Sequence, residues 1–122
     1  MEFRANYTLT DDDIAIVDLH GPVDVATAPV PRDLLTRLID EGHHWLVLQM
    51  EEVDFIDSVG LGVIIGVVRR LRPHHGALAA AAPSAQTRRV VEITQLVRVL
   101  PLYDDTEGAL EAVRRRRAAG IQ

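Results

Sequence analysis

Val53-Asp54-Phe55-Ile56-Asp57-Ser58-Val59-Gly60-Leu61-Gly62-Val63-Ile64-Ile65-Gly66 is where an extended apolar run turns into a helix. Trp45-Leu46-Val47-Leu48 upstream reads as a buried strand, and downstream the apolar residues recur at helical spacing. Ser58 suits the N-cap, where a hydroxyl oxygen accepts a bond from an amide that the first turn leaves orphaned. Gly60 and Gly62 carry no side chain, so a partner or an anion could come close to the backbone there. The junction looks built to present one small polar group outward.

Phe3 to Leu9 alternates apolar and polar residues and predicts a first strand. Ile14 to His20 predicts a second, with Asp11-Asp12-Asp13 as a solvated turn between them. Gly21-Pro22 ends that strand. Thr27-Ala28-Pro29-Val30-Pro31 predicts a helix start, with Thr27 or a neighbour capping and proline tolerated in the first turn. Leu34, Leu35, Leu38 and Ile39 form its apolar stripe, and Gly42 stops it. A third strand covers roughly His44 to Met50. A second helix runs from about Ser58 to Arg72, before Pro73. Ala77 to Ala82 predicts a short strand, although an alanine run has the propensity to be helical. Pro83-Ser84 starts a helix through Val90, Val91, Ile93 and Leu96. Val97 to Leu100 predicts a last strand, and Thr106 caps a final helix with Ala109, Leu110, Ala112 and Val113. Two strands followed by alternating helices and strands imply an α/β sheet that opens with a β-hairpin.

The 122 residues suit one domain, 1–122, with its core at about 3–113. Apolar content of 48% and charged content of 25% place the chain among globular proteins. It has no cysteine, which excludes disulfides and thiolate metal sites. No apolar run reaches the length of a membrane span, and Met1-Glu2-Phe3-Arg4 is not a signal peptide, so a cytoplasmic protein without membrane contact is expected. The net charge of −5 argues against general nucleic-acid binding.

Projected at helical spacing, Leu61, Val63, Ile64, Ile65, Val67, Val68 and Leu71 fill an arc of roughly 200°, wider than one core stripe needs. Ile64, Val67, Val68 and Leu71 lie near its centre, with Leu61 and Ile65 at one edge and Val63 at the other. One reading buries the whole helix. The functional reading leaves Leu61 and Ile65 as an exposed apolar patch beside Ser58, marking a partner surface.

Asp57-Ser58-Val59-Gly60-Leu61-Gly62 resembles the Asp-Ser-(Ser/Thr)-Gly-Leu-Gly signature of the STAS domain, specifically of bacterial anti-sigma factor antagonists. Gly21-Pro22-Val23-Asp24-Val25-Ala26-Thr27-Ala28 is similar to that family's Gly-Glu-Leu-Asp-x-x-Thr-Ala segment. The element order matches over nearly the whole chain. The resemblance implies a central mixed β-sheet of about five strands with about four helices mostly on one face. It implies a regulatory binding module rather than an enzyme, needing no cofactor. Its partner would be an anti-sigma factor, often a serine kinase, and a serine phosphatase would reset the switch. Asp24, Asp57, Ser58, Val59, Gly60, Leu61, Gly62 and Ile65 would form the motif and partner surface.

At the switch the chain departs from the pattern. The resemblance is read as placing the usual phosphate acceptor at the motif's third position, here Val59, which has no hydroxyl. Ser58 is the motif's only hydroxyl. Ser58 then takes the phosphate, or the protein is a constitutive binder; engagement as an N-cap favours the second. A second function of another class is a STAS subunit of a lipid-transport complex that docks onto its ATPase through the same helix.

Other groups carry less. Asp-Ser-Val-Gly is not the Gly-x-Ser-x-Gly nucleophile elbow, and no base is placed near Ser58 by motif. His43-His44 and His74-His75 are adjacent pairs without the i, i+4 spacing of a helical metal site. Arg114-Arg115-Arg116-Arg117 reads as a solvated face of the last helix.

Overall fold

The computed structural model describes residues 3–120. β1 (Arg4–Leu9) and β2 (Ala15–His20) pair antiparallel as the opening hairpin. Then follow α1 (Pro29–Asp40), β3 (Trp45–Glu52), α2 (Ser58–Leu71), β4 (Ala77–Ala81), α3 (Ala85–Ile93), β5 (Leu102–Tyr103) and α4 (Thr106–Ala119). The strands lie side by side in chain order, and every pair from β2 onward is parallel.

That order positions the helices. Parallel crossovers are right-handed, so a strand order that advances without reversal puts successive crossover helices on one face. Leu35 and Leu38 of α1, Leu61 and Ile64 of α2 and Val91 of α3 share one core with Leu46, Leu48 and Met50 of β3. The other face carries α4 alone. There Ala109, Leu110 and Val113 meet Ile14, Val47, Ala79 and Ala81. The alternation of β3 and β4 residues between these two cores explains why both strands read as continuous apolar runs. It also decides the alanine segment. Ala77–Ala81 pairs with β3, and burial on both faces overrides helical propensity.

Several expectations shift. The last strand is Leu102–Tyr103, not Val97–Leu100. Gln95 adopts φ 60° after α3, and the amides of Val99 and Leu100 both bond back to Leu96 O, so this stretch is coiled into turns. Sheet bonding begins only where the Ala80 amide donates to Pro101 O at 3.0 Å. α1 starts at Pro29 without a side-chain cap. The acid Asp105, not Thr106, caps α4, accepting from the Gly108 amide.

The acidic turn and the arginine run are not simply solvated. Arg114 and Arg117 of α4 converge on Asp12, with Nε and Nη2 at 2.8 and 2.9 Å from Oδ2, and Arg117 Nη1 also donates to Asp12 O. The Arg114 hydrogen bond, then that of Thr10, holds the Asp12 carboxyl well below the usual carboxylate range. These contacts fasten the β1–β2 turn to α4, two elements about 100 residues apart in sequence.

Candidate functional site

Two loops at the C-terminal end of the parallel strands run side by side. Beyond the bulge at Asp18/His20, β2 and β3 stay linked through the Gly21 amide to Glu52 O, and Val23 bridges Ile56. The Val23 amide donates to Phe55 O at 2.9 Å, and the Asp57 amide donates to Val23 O at 3.2 Å. Asp24 shapes the first loop. Its Oδ1 accepts from the amides of Ala26 and Thr27, while Thr27 Oγ1 accepts from the Asp24 amide and donates to Pro22 O at 2.7 Å. Thr27 therefore closes an Asx turn and does not cap α1.

At the second loop the motif's acid, not its serine, is the N-cap. Asp57 has an extended backbone, its Oδ1 accepts from the Gly60 amide at 2.9 Å, and its carbonyl accepts from the Leu61 amide. Ser58 is the first residue inside the helix, and its side chain is exposed. The expectation of a capping Ser58 is thus corrected by one position, and its hydroxyl is left facing outward. Asp57→Ala should lower stability by about 1 kcal/mol, the usual cost of losing a side-chain cap. Urea unfolding of the variant checks this.

Leu61 and Ile65, expected as the exposed partner patch, are 3% and 8% exposed and belong to the main core. The buried apolar residues of α2 are Leu61, Ile64, Ile65, Val67 and Leu71, so its buried arc extends to Leu61 and Ile65. Val68, placed at the centre of the buried face, is only partly buried. Gly60 also points inward, against Val23, and is not open to a ligand. Gly62 does face open space, beside Val63 on the outer side of α2. The apolar surface next to Ser58 comes instead from Val25, Phe55 and Val59, which are 69%, 44% and 45% exposed. Asp24, Asp57, Ser58 and Val59 are therefore brought to one pole; Gly60, Leu61 and Ile65 support it from beneath.

Gln86, at the start of α3, is a site residue that the sequence did not signal. Its Oε1 accepts from the Ile56 amide at 2.9 Å and its Nε2 donates to Ile56 O at 2.8 Å. This two-point clamp completes the hydrogen bonding of the β3–α2 loop as a neighbouring strand would. Gln86→Glu keeps the acceptor but opposes Ile56 O, and Gln86→Ala removes both bonds. Each should cost about 1–2 kcal/mol and raise amide exchange at Ile56 without changing that in α4, as hydrogen-exchange NMR would measure.

The STAS domain matches residues 8–109, which include both loops, α2 and Gln86. The chain belongs to the STAS domain family. It is 29% identical to the anti-sigma-B factor antagonist of Bacillus subtilis over 111 residues, 91% of this chain and 100% of that protein. It is 30% identical to the anti-sigma-B factor antagonist of Staphylococcus epidermidis over 100 residues, 82% of this chain and 93% of that one. The crystal structure of an anti-sigma factor antagonist from Mycobacterium paratuberculosis superposes with a TM-score of 0.84 at 26% identity, covering 93% of this chain and 95% of that one. The five-stranded mixed sheet and four helices are thus the STAS fold.

Proposed function

We propose that this STAS protein is an anti-sigma factor antagonist, a binding module that sequesters an anti-sigma factor and so releases a sigma factor for transcription. The observation that carries the reading is the pole itself. Val25, Phe55 and Val59 are exposed on the same two paired loops and helix start that carry the exposed Ser58, with Asp24 and Asp57 fixing the two loops. An apolar rim with a few polar groups suits protein docking. The names of the relatives at about 30% identity point the same way.

We further propose that the partner is a serine kinase and that Ser58 is its phosphate acceptor, with a phosphatase as the reset. The case for a constitutive binder rested on a Ser58 hydroxyl occupied as the cap, and Asp57 does that work. The outward hydroxyl of Ser58 is free to attack a phosphoryl donor.

Affinity capture from the source bacterium tests the assignment, with identification by mass spectrometry. The unmodified chain should retain a kinase-type anti-sigma factor, and Phe55→Asp should lose it while keeping its thermal unfolding temperature. Capture of a transporter ATPase would instead support the lipid-transport reading and remove this one.

A further inference from the structure

At the far end of α2 from Ser58, roughly 20 Å away at 1.5 Å per helical residue, the surface has a different character. β5 pairs only with Ala80 and Ala81, so the first three residues of β4 have no strand beside them on that edge. The gap is a hollow of about 270 Å³ between the end of α2, the turn after α3 and the last turns of α4. Its floor is apolar, with Val68, Leu71, Leu78 and Val99, and its rim carries Arg72, Arg98 and Arg116. A second hollow shares Arg72, Gly76 and Arg116 and adds His75. No acidic residue lines either one.

This clustering is unusual for a chain of net charge −5. Elsewhere on α4 the arginines find acids: Arg114 and Arg117 hold Asp12, and Arg115 meets Glu111. Arg116 has no acidic partner among the described residues, nor do Arg72 and Arg98. Cations near helix C-termini complement the helix dipole, which accounts for Arg72 and Arg116. It does not account for Arg98, which lies outside any helix yet completes the rim. Three like charges around one concavity repel each other, and a bound anion removes that repulsion. Guanidinium groups bind phosphate oxygens through paired, charge-assisted hydrogen bonds. The apolar floor suits the carbon part of the same ligand.

We propose that this hollow is a second binding site, separate from the partner pole, for a small organic phosphate whose phosphate is held by Arg72, Arg98 and Arg116 and whose apolar portion rests on Val68, Leu78 and Val99. The same phosphate chemistry occurs in lipid headgroups, and a hollow of about 270 Å³ favours a free small molecule.

Titration of the ¹⁵N-labelled full chain with phenyl phosphate, followed by NMR, tests this. Saturable shifts are expected at the amides of Gly76, Ala77, Leu78 and Val99. Arg98→Gln and Arg116→Gln should each weaken binding by about tenfold, as loss of one charge-assisted contact would. Arg89→Gln, on exposed α3 surface, should leave it unchanged. Both rim residues are exposed, and unchanged thermal unfolding verifies that the variants fold. Sedimentation with phosphatidylglycerol vesicles separates the sources. The proposal fails if phenyl phosphate gives no saturable shift at these amides. It also fails if the Arg98→Gln, Arg116→Gln double variant binds like the parent, or if only vesicles bind.

Discussion

Phosphorylation of Ser58, or its replacement by Glu, is expected to weaken binding to the anti-sigma factor by about a hundredfold or more, roughly 2.7 kcal/mol. A phosphoryl group brings about −1.5 to −2 charges at neutral pH. It would share the pole with the exposed Val25, Phe55 and Val59, whose apolar surface the partner must cover. Taking an unpaired charge out of water against such a surface costs several kcal/mol. The Asp57 carboxylate is the preceding residue and repels it. The N-terminus of α2 offers some compensation, about 0.3–1 kcal/mol for an anion near the first turn. Asp57 already occupies the Gly60 amide, so that compensation is at the low end and does not reverse the sign. Ser58→Ala is the matched control. It should keep affinity within about twofold and change stability by less than about 0.5 kcal/mol, because the hydroxyl is exposed and caps nothing. Calorimetric titration with the captured anti-sigma factor reads the affinities, and phosphopeptide mapping after kinase treatment should place a single phosphate on Ser58. Full affinity in Ser58→Glu would overturn the switch, and a loss of about 1 kcal/mol in Ser58→Ala would restore the serine as a cap.

What the sequence conveyed follows from the range of each interaction. Hydrophobic periodicity is a local signal, and it located both members of the hairpin, the strand ending near Met50, and α2 to within a residue or two. That the sheet is mixed and most helices share one face came with the family resemblance, whereas the strand order and the place of α4 on the opposite face are seen only in the structure. The two motifs point to Asp24, Asp57, Ser58 and Val59, which the structure brings to one pole, but the local roles read for Ser58, Leu61 and Ile65 differ where they depend on tertiary neighbours. Asp57 and Ser58 are both good N-cap residues, and only the backbone of Asp57, held extended by its bond to Val23 O, decides between them. Leu61 and Ile65 lie at the margin of a 200° apolar arc. Whether a margin is covered depends on the elements packed beside the helix, which α2 itself does not encode. Val25 and Phe55 are single apolar residues in loops and leave no periodic trace. Gln86 acts over 30 residues through a backbone pairing that has no motif. The pairing of Asp12 with Arg114 and Arg117 spans still more of the chain, so two runs that look solvated are in fact joined.

Gly60→Ala is expected to be the most damaging small substitution at the site, with a net loss of about 2 kcal/mol. An added Cβ would lie 2.2 Å from Val23 O and 2.9 Å from Val23 C, inside any real contact distance, and 2.8 Å from Val23 Cγ1. Backbone cannot rotate aside as a side chain can. Val23 is also held at both ends, donating to Phe55 O and accepting from the Asp57 amide, so retreat would break the bonds that align the two loops. Against this stands the better helix propensity of alanine, about 1 kcal/mol over glycine. The clash outweighs it, because forced repacking in a tight site costs about 1–3 kcal/mol and here bonds are lost as well. Gly62→Ala supplies the opposite case on the same helix. No atom lies within 4 Å of its added Cβ, so propensity acts alone and the variant should gain about 0.5–1 kcal/mol. Urea unfolding of the two variants in parallel reads the difference. Gly60→Ala should also weaken partner binding, since separation of the loops moves Val25 and Phe55 relative to Ser58. If Gly60→Ala proves as stable as the parent, the close approach of α2 to Val23 is not what holds the two loops together. The pole would then need another anchor, of which the Gln86 clamp on Ile56 is the one already in place.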